Sequence, residues 1–377
     1  MSPHAQLETR IARRIRELEA AGLRRSLRPP SGIDLSSNDY LGLSTHPLVK
    51  QRMAEAVMSE GCGSTASRLL RGDRELFRRV EKRFAEFKNT EAALYFNSGY
   101  TANLGVVTAV VDRHDLVFSD EYNHASLVDG IRLSRARRVK FPHCDVDRLA
   151  RLLREAPPPA QKFLVTESLF SMDGDFAPLA DYAELCSETG TALIVDEAHA
   201  VGVYGARGSG FIEQAGVSDH VLLSVNTAGK ALGSAGAFVA GPAWVIDYLI
   251  QTARPFIFST AAPPPIAAAL EASLTVIETE PERRERVLKH SALLRSLLGE
   301  AGINTGGSRS QIIPVLLGDN TRACRAASEL QAAGFDVRAI RPPAVPEGTA
   351  RLRISVNAAV DEGALRAVAQ LAARACR

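Results

Sequence analysis

Four stretches of the sequence carry residue types that do chemistry, and each follows a short apolar run. They are Asp120-Glu121-Tyr122-Asn123-His124-Ala125-Ser126, Glu167 through Asp175, Asp196-Glu197-Ala198-His199, and Asn226-Thr227-Ala228-Gly229-Lys230-Ala231-Leu232-Gly233. A fifth, Asn97-Ser98-Gly99-Tyr100-Thr101-Ala102-Asn103, has a Ser-Gly turn entering a helix, where backbone N–H groups suit an anion such as phosphate. Lys230 is one of only seven lysines among 45 basic residues, and it stands between Gly229 and Ala231. Desolvation in such a setting favours the neutral, nucleophilic amine. A carboxylate at Asp196 can keep a pyridinium nitrogen protonated. His124 can lie flat on an aromatic ring, and Thr227 with the Ser98-Gly99 turn can hold a phosphate. These parts describe a pyridoxal phosphate (PLP) site with Lys230 as the Schiff-base lysine.

Positioning them requires a sheet. Apolar runs recur at 92–96, 116–119, 138–141, 163–166, 192–196, 221–225 and 237–240, and helical stretches such as 145–155, 178–189 and 242–252 separate most of them. Continuous apolar strands alternating with helices predict a seven-stranded, mostly parallel sheet covered on both faces. In open α/β sheets the ligand lies at the carboxyl ends of the strands, which is where the polar stretches fall. A helix over 73–88 puts Leu76, Phe77, Val80, Phe84 and Phe87 on one face, with Asp73 as its cap. A long helical region runs from 261 to about 300. Strands at 312–317, 335–340 and 351–356 and helices at 321–333 and 361–376 then form a smaller α+β domain. The expected organisation is an N-terminal arm over 1–45, a large cofactor-binding domain over 46–260 and a small domain over 261–377. In the arm, Ile11, Ile15 and Leu18 mark one amphipathic helix.

Composition sets the bounds. The 377 residues suit two or three domains. Hydrophobic residues at 46% and charged residues at 23% are ordinary for a globular chain. A net charge of +2 argues against a general nucleic-acid binder, and no apolar run is long enough to span a membrane. Five scattered cysteines without a C-x-x-C pair point to a reduced, cytoplasmic chain without disulfides or structural zinc. No G-x-x-x-x-G-K-[ST] loop accompanies Asp196–His199, which sets aside a nucleotide-hydrolysing box. Gly61-Cys62-Gly63-Ser64-Thr65-Ala66 follows a helical stretch rather than a strand, so it is not read as a dinucleotide fingerprint. His143-Cys144-Asp145 has no second ligand pair at useful spacing and reads as a surface loop; no metal is expected.

The motifs together resemble the α-oxoamine synthase family of fold-type-I PLP enzymes. The likeness runs from Leu23-Arg24-Arg25 through Ser37-Asn38-Asp39-Tyr40-Leu41-Gly42-Leu43, Ser98–Asn103, Asn123–Ser126, Phe170–Asp175, Asp196–His199 and Thr227–Gly233 to Arg341-Pro342-Pro343 and Arg351-Leu352-Arg353. It implies a PLP-dependent transferase of fold type I, a large domain plus a small α+β C-terminal domain, acting as a homodimer with shared sites. It implies that Lys230 carries the cofactor and then serves as base and acid. Asp196 pairs with the ring nitrogen, His124 stacks on the ring, and His199 and Ser171 lie near its phenolic oxygen. The Gly99-Tyr100 backbone and Thr227 bind the phosphate, while Ser259 and Thr260 reach the neighbouring subunit's phosphate. Arg353 binds the amino-acid carboxylate with Asn38 close by, and Arg24 lies near the acyl substrate. The implied reaction is a decarboxylative condensation of L-alanine with a pimeloyl thioester on CoA or acyl carrier protein. A glycine C-acetyltransferase, or another synthase with a different acyl donor, is the alternative. Two positions depart from the family pattern: Ala344 stands where a Thr is usual in the Pro-Pro-Thr-Val-Pro run, and Ala228 stands where a Phe is usual before Gly229-Lys230.

Overall fold

The computed structural model describes residues 3–157 and 161–376, so part of the proline cluster at 157–159 lies outside the described residues. The chain forms two compact units. The larger holds Asn38–Ser171 and Asp175–Val287; the smaller holds the residues up to Ser37, Met172–Gly174 and the residues from Leu288 on.

The larger unit contains the seven-stranded sheet. Its spatial order is Ala92–Phe96, Ala237–Gly241, Val221–Thr227, Thr191–Asp196, Lys162–Glu167, Leu116–Asp120 and Arg137–Phe141. Only Ala237–Gly241 runs antiparallel to its neighbours. Side chains alternate between two cores. Val117, Phe163, Val165 and Ile194 face one apolar cluster with Val106, Leu127 and Leu249. Phe118, Leu164, Leu193 and Val195 face the other with Leu149, Tyr182 and Leu185. This two-sided burial is why the strands read as unbroken apolar runs.

Three features differ from the sequence reading. The helix after Asp73 begins at Glu75, because the Asp73 carboxylate is engaged by Arg68 and Arg78, each at 2.7 Å. The helical region after 261 is two helices, Pro264–Thr279 and Glu282–Glu300, interrupted at Pro281, which lacks an N–H to donate. The first of these belongs to the larger unit rather than to a small domain starting at 261. Its Ala269 and Ala272 pack against Val49 of helix Pro47–Glu60, small residues that let the two helices approach closely.

In the smaller unit, Arg338–Ile340, Ala350–Ser355 and Ile312–Gly318 form an antiparallel sheet. Helices Asn320–Ala332 and Glu362–Ala375 contribute Leu330, Leu365 and Val368 to its core. The expected strand over 335–340 is split: Phe335–Asp336 pairs in parallel with Ile33–Asp34, so the arm is not a separate domain but part of this unit. The arm helix, Ala5–Ala20, buries none of its residues, and Ile11 and Ile15 stand exposed. Among the described residues no helix is long and apolar enough to cross a membrane.

Candidate active site

The carboxyl ends of the central strands bring most of the expected residues together. Glu167 and Asp196 are register partners on adjacent parallel strands. Asp196 is buried, and both its oxygens are fixed: Oδ1 accepts from the Ala198 N–H at 2.8 Å and Oδ2 from Asn103 Nδ2 at 2.6 Å. Asn103 also donates to Ser126 Oγ at 2.9 Å, and Ser126 Oγ is 2.7 Å from His124 Nδ1. His124 is thereby oriented from below, while its backbone N–H donates to Glu167 Oε1 at 2.6 Å. Burial, reinforced by the Asp196 charge, pushes the Glu167 carboxyl well above the usual carboxylate range; Lys230 and the His124 N–H offset this only in part. The protein packed around His124 holds its pKa below the ordinary value, against the pull of Asp196. Asp196 and Lys230 both act on Glu167 and on His124, which places all four groups in one neighbourhood.

Lys230 lies in the turn between strands Val221–Thr227 and Ala237–Gly241, closed by Ala228 N–H to Gly236 O at 2.8 Å and Gly233 N–H to Lys230 O at 2.8 Å. Its Nζ is 2.8 Å from His199 Nε2. His199 Nδ1 is 2.7 Å from the Tyr40 hydroxyl, which donates to Asn38 Oδ1 at 3.0 Å. The amide oxygen of Asn38 only accepts, so the single Tyr40 proton points to it and the Tyr40 oxygen accepts from His199 Nδ1–H. Nε2 then presents its lone pair to the Lys230 amine, which donates. Tyr40 is fully buried and was not singled out in the sequence; the signal was its place in the Ser37–Leu43 run, two residues after Asn38. Tyr40→Phe should strand the Nδ1 donor and lower kcat about tenfold to a hundredfold, with KM for both substrates nearly unchanged. An ¹⁵N spectrum of His199 should show the tautomer preference lost.

The phosphate cradle is equally specific. Ser98 caps helix Gly99–Val110 by accepting the Thr101 N–H at 3.2 Å, so the Gly99 and Tyr100 N–H groups lead the first turn without intrahelical acceptors. A Cβ on Gly99 would sit 2.3 Å from Thr227 Oγ1, so the two residues close on one small space. Gly99→Ala should weaken PLP binding about tenfold to a hundredfold, read by titrating PLP into the cofactor-free protein. Ser171 is buried in the loop after strand Lys162–Glu167, and Ser259 is half-buried. The Thr260 carbonyl accepts from Asn97 Nδ2 at 2.7 Å, which ties this segment to the residue preceding Ser98.

Arg24 and Arg353 belong to the smaller unit. The sequence expects one of Arg351 and Arg353 at a surface pair; instead both are buried, because Ala350–Ser355 is the central strand of its sheet. Arg351 is committed to Asp173 at 2.6 Å, and Arg353 donates to Ser355 Oγ at 2.7 Å. His143 lies in the turn after strand Arg137–Phe141, as the loop reading expects, but it is half-buried and doubly paired rather than free at the surface. Asp120 faces its Nδ1 at 3.0 Å, Asp175 faces its Nε2 at 2.8 Å, and its ring stacks on Tyr122. Burial alone would lower its pKa, but the two carboxylates win and raise it to about 12. This fixed cation clamps the strand end before Asn123-His124 to the loop after Ser171. Asp145 caps helix Val146–Arg154.

A family model described as aminotransferase class I and II matches residues 30–371. The chain belongs to the α-oxoamine synthase branch of that family. Relatives named 8-amino-7-oxononanoate synthase include one from Anaeromyxobacter sp. (strain K), 48% identical over 93% of this chain and 91% of its own length. Another, from Geobacter sulfurreducens, is 47% identical over 96% of this chain and 97% of its own length. Among solved structures, Sphingomonas wittichii serine palmitoyltransferase superposes with a TM-score of 0.91 at 31% identity, covering 100% of this chain and 98% of that one. An 8-amino-7-oxononanoate synthase from Francisella tularensis gives 0.80 at 30% identity, over 91% and 97%. A serine palmitoyltransferase from S. paucimobilis with a PLP–myriocin adduct bound gives 0.92 at 29%, over 100% and 98%. PLP is the cofactor of this synthase fold, and the residues here fit it: a buried, doubly fixed carboxylate at Asp196, the Lys230 amine and the Gly99–Thr227 cradle.

Proposed function

We propose that the chain forms 8-amino-7-oxononanoate from L-alanine and a pimeloyl thioester, with release of the thiol and carbon dioxide, in biotin biosynthesis. The observation that carries the reading is the identity of 47–48% to relatives of that name over nearly the full chain, on a sequence with Lys230 hydrogen-bonded to His199 and Asp196 linked through Asn103 and Ser126 to His124.

Bound PLP supplies the electron sink for a carbanion at the alanine Cα. Asp196, immobilised by Asn103 and Ala198, keeps a positive charge favourable at the ring nitrogen. His124 would stack on the ring. The Gly99 and Tyr100 N–H groups with Thr227 hold the phosphate. Lys230 Nζ takes the α-proton and later returns one, and His199 Nε2 aims it. Arg353 binds the alanine carboxylate with Asn38 nearby, Ser171 meets the ring's phenolic oxygen, and Arg24 meets the acyl donor. A second copy of the chain supplies Ser259 and Thr260 to the phosphate. The homodimer with shared sites is part of the same reading. The five cysteines are all free, as in a reduced, cytoplasmic setting.

The test is a thiol-release screen crossing alanine, glycine and serine with short, medium and long acyl thioesters. The expected result is release of free CoA and carbon dioxide with L-alanine and pimeloyl-CoA. Absence of thiol release from every acyl thioester would overturn the reading. Preference for serine with a long acyl chain would favour the activity named for the palmitoyltransferase neighbours.

A further inference from the structure

The proposed reaction makes no use of Glu167, a buried acid at the same strand ends. Glu167 closes strand Lys162–Glu167, and its register partner on the adjacent parallel strand is Asp196. Register partners direct their side chains to one face of the sheet, at a strand spacing of about 4.8 Å. The two residues are 3% and 5% exposed. Two carboxyl groups held side by side out of water do not both ionise. Their hydrogen bonds select the one that does. Asp196 accepts two N–H donors, from Ala198 at 2.8 Å and from Asn103 at 2.6 Å, and both favour its charge. Glu167 accepts from the His124 N–H at 2.6 Å. Of the charged groups around Glu167, Asp196 and Asp120 favour a proton on it, and Lys230 opposes one. Asp120 ends the strand on the other side and is fully buried.

The bond to His124 links this pair to the cofactor site. His124 caps helix Ala125–Ser134, and Ser126 braces its ring at Nδ1. Ser126 is joined in turn to Asp196 through Asn103. Glu167 fixes the backbone from which the ring projects, so both the ring and the main chain of His124 are tied to the two acids. We propose that Glu167 is a positioning residue: it carries the proton of the Glu167–Asp196 pair, leaves the negative charge to Asp196 and pins the His124 backbone at the cofactor site. This rests on the placement of PLP given above.

Glu167→Gln keeps the acceptor oxygen and a neutral side chain, and Glu167→Ala removes the acceptor. In the holoenzyme at neutral pH, the infrared difference between wild type and Glu167→Gln should contain the band of a protonated carboxyl group. Stability gives a second reading, on the cofactor-free proteins. Burial, reinforced by Asp196, raises the folded-state pKa of Glu167 above its unfolded value, so the stability it contributes is fully present below about pH 4 and is lost as pH rises. The urea midpoint of wild type should therefore fall relative to that of Glu167→Gln between about pH 5 and pH 8, at equal m-values. In kinetics, Glu167→Ala should lower kcat about tenfold to a hundredfold with KM for both substrates nearly unchanged, and glutamine should restore it to within about threefold of wild type. The proposal is overturned if the carboxyl band is absent, if the midpoint difference is flat over that range, or if Glu167→Gln loses as much activity as Glu167→Ala. If no thioester reacts with L-alanine, the assigned reaction fails, and the infrared and urea comparisons still decide which acid holds the proton.

Discussion

Lys230→Ala should lower thiol release from pimeloyl-CoA and L-alanine by about a thousandfold or more, because the variant loses the nucleophile and the proton carrier together. Lys230→Arg should do no better. It keeps a charge near His199 but offers no neutral amine at working pH. The turn that carries Lys230 is closed by backbone bonds at Ala228, Gly233 and Ser234, none of which uses the side chain, so the melting temperature of the cofactor-free variant should match that of cofactor-free wild type. Dialysis gives an independent reading: PLP should leave the Lys230→Ala protein and stay with the wild type. Activity within tenfold of wild type, with cofactor retained, would contradict the assignment of this residue.

The largest loss of stability is expected from Lys88→Met. Lys88 Nζ donates to Glu197 Oε2 and to the Ser209 carbonyl, both at 2.6 Å, and the two charged side chains are 4% and 0% exposed. Glu197 Oε1 accepts from the Phe211 and Ile212 N–H groups, so it is held in place with or without the lysine. Removing Lys88 leaves a carboxylate in the interior without a counter-charge, at a cost of about 3–5 kcal/mol. The measurement is the urea midpoint at constant m-value. A second variant, Lys88→Met with Glu197→Gln, should recover part of the loss, which separates the stranded charge from lost packing. Gly210 belongs to the same arrangement: a Cβ there would fall 2.0 Å from Glu197 Oε2, and its φ of +132° already requires glycine.

These two lysines show how unevenly sequence reveals structure. Lys230 was legible because its neighbours are small and apolar and because four other polar stretches sit at the same phase relative to apolar strands. The central strands were legible because two-sided burial leaves few polar interruptions, whereas the edge strand Arg137–Phe141 is exposed at Arg137 and Lys140. Lys88 reads as the polar end of an amphipathic helix, and its partner is 109 residues away. Nothing local announces it. The pairing of His143 was hidden because one carboxylate, Asp120, ends a neighbouring strand and the other, Asp175, lies in the loop after Ser171, 32 residues on. Tyr40 lay inside a recognised run, yet its role depends on the geometry of a single hydroxyl between Asn38 and His199. The domain limits were missed where small residues allow close helix packing, as at Ala269 and Ala272, and where a two-residue strand recruits a distant one. Ser259 and Thr260, which the reading assigns to a partner's site, are the residues whose role depends most on a second copy.

The pairing of Ile33–Asp34 with Phe335–Asp336 has a consequence for how the molecule is made. Ile33–Asp34 leaves the ribosome about 300 residues before Phe335–Asp336. At ordinary elongation speeds the interval is roughly 15–60 s. Throughout that time the nascent arm, with its arginines and exposed isoleucines, has no finished surface to join. The parallel pair therefore closes only after Phe335–Asp336 has emerged, and a chain lacking that strand would leave Ile33–Asp34 without its ladder partner.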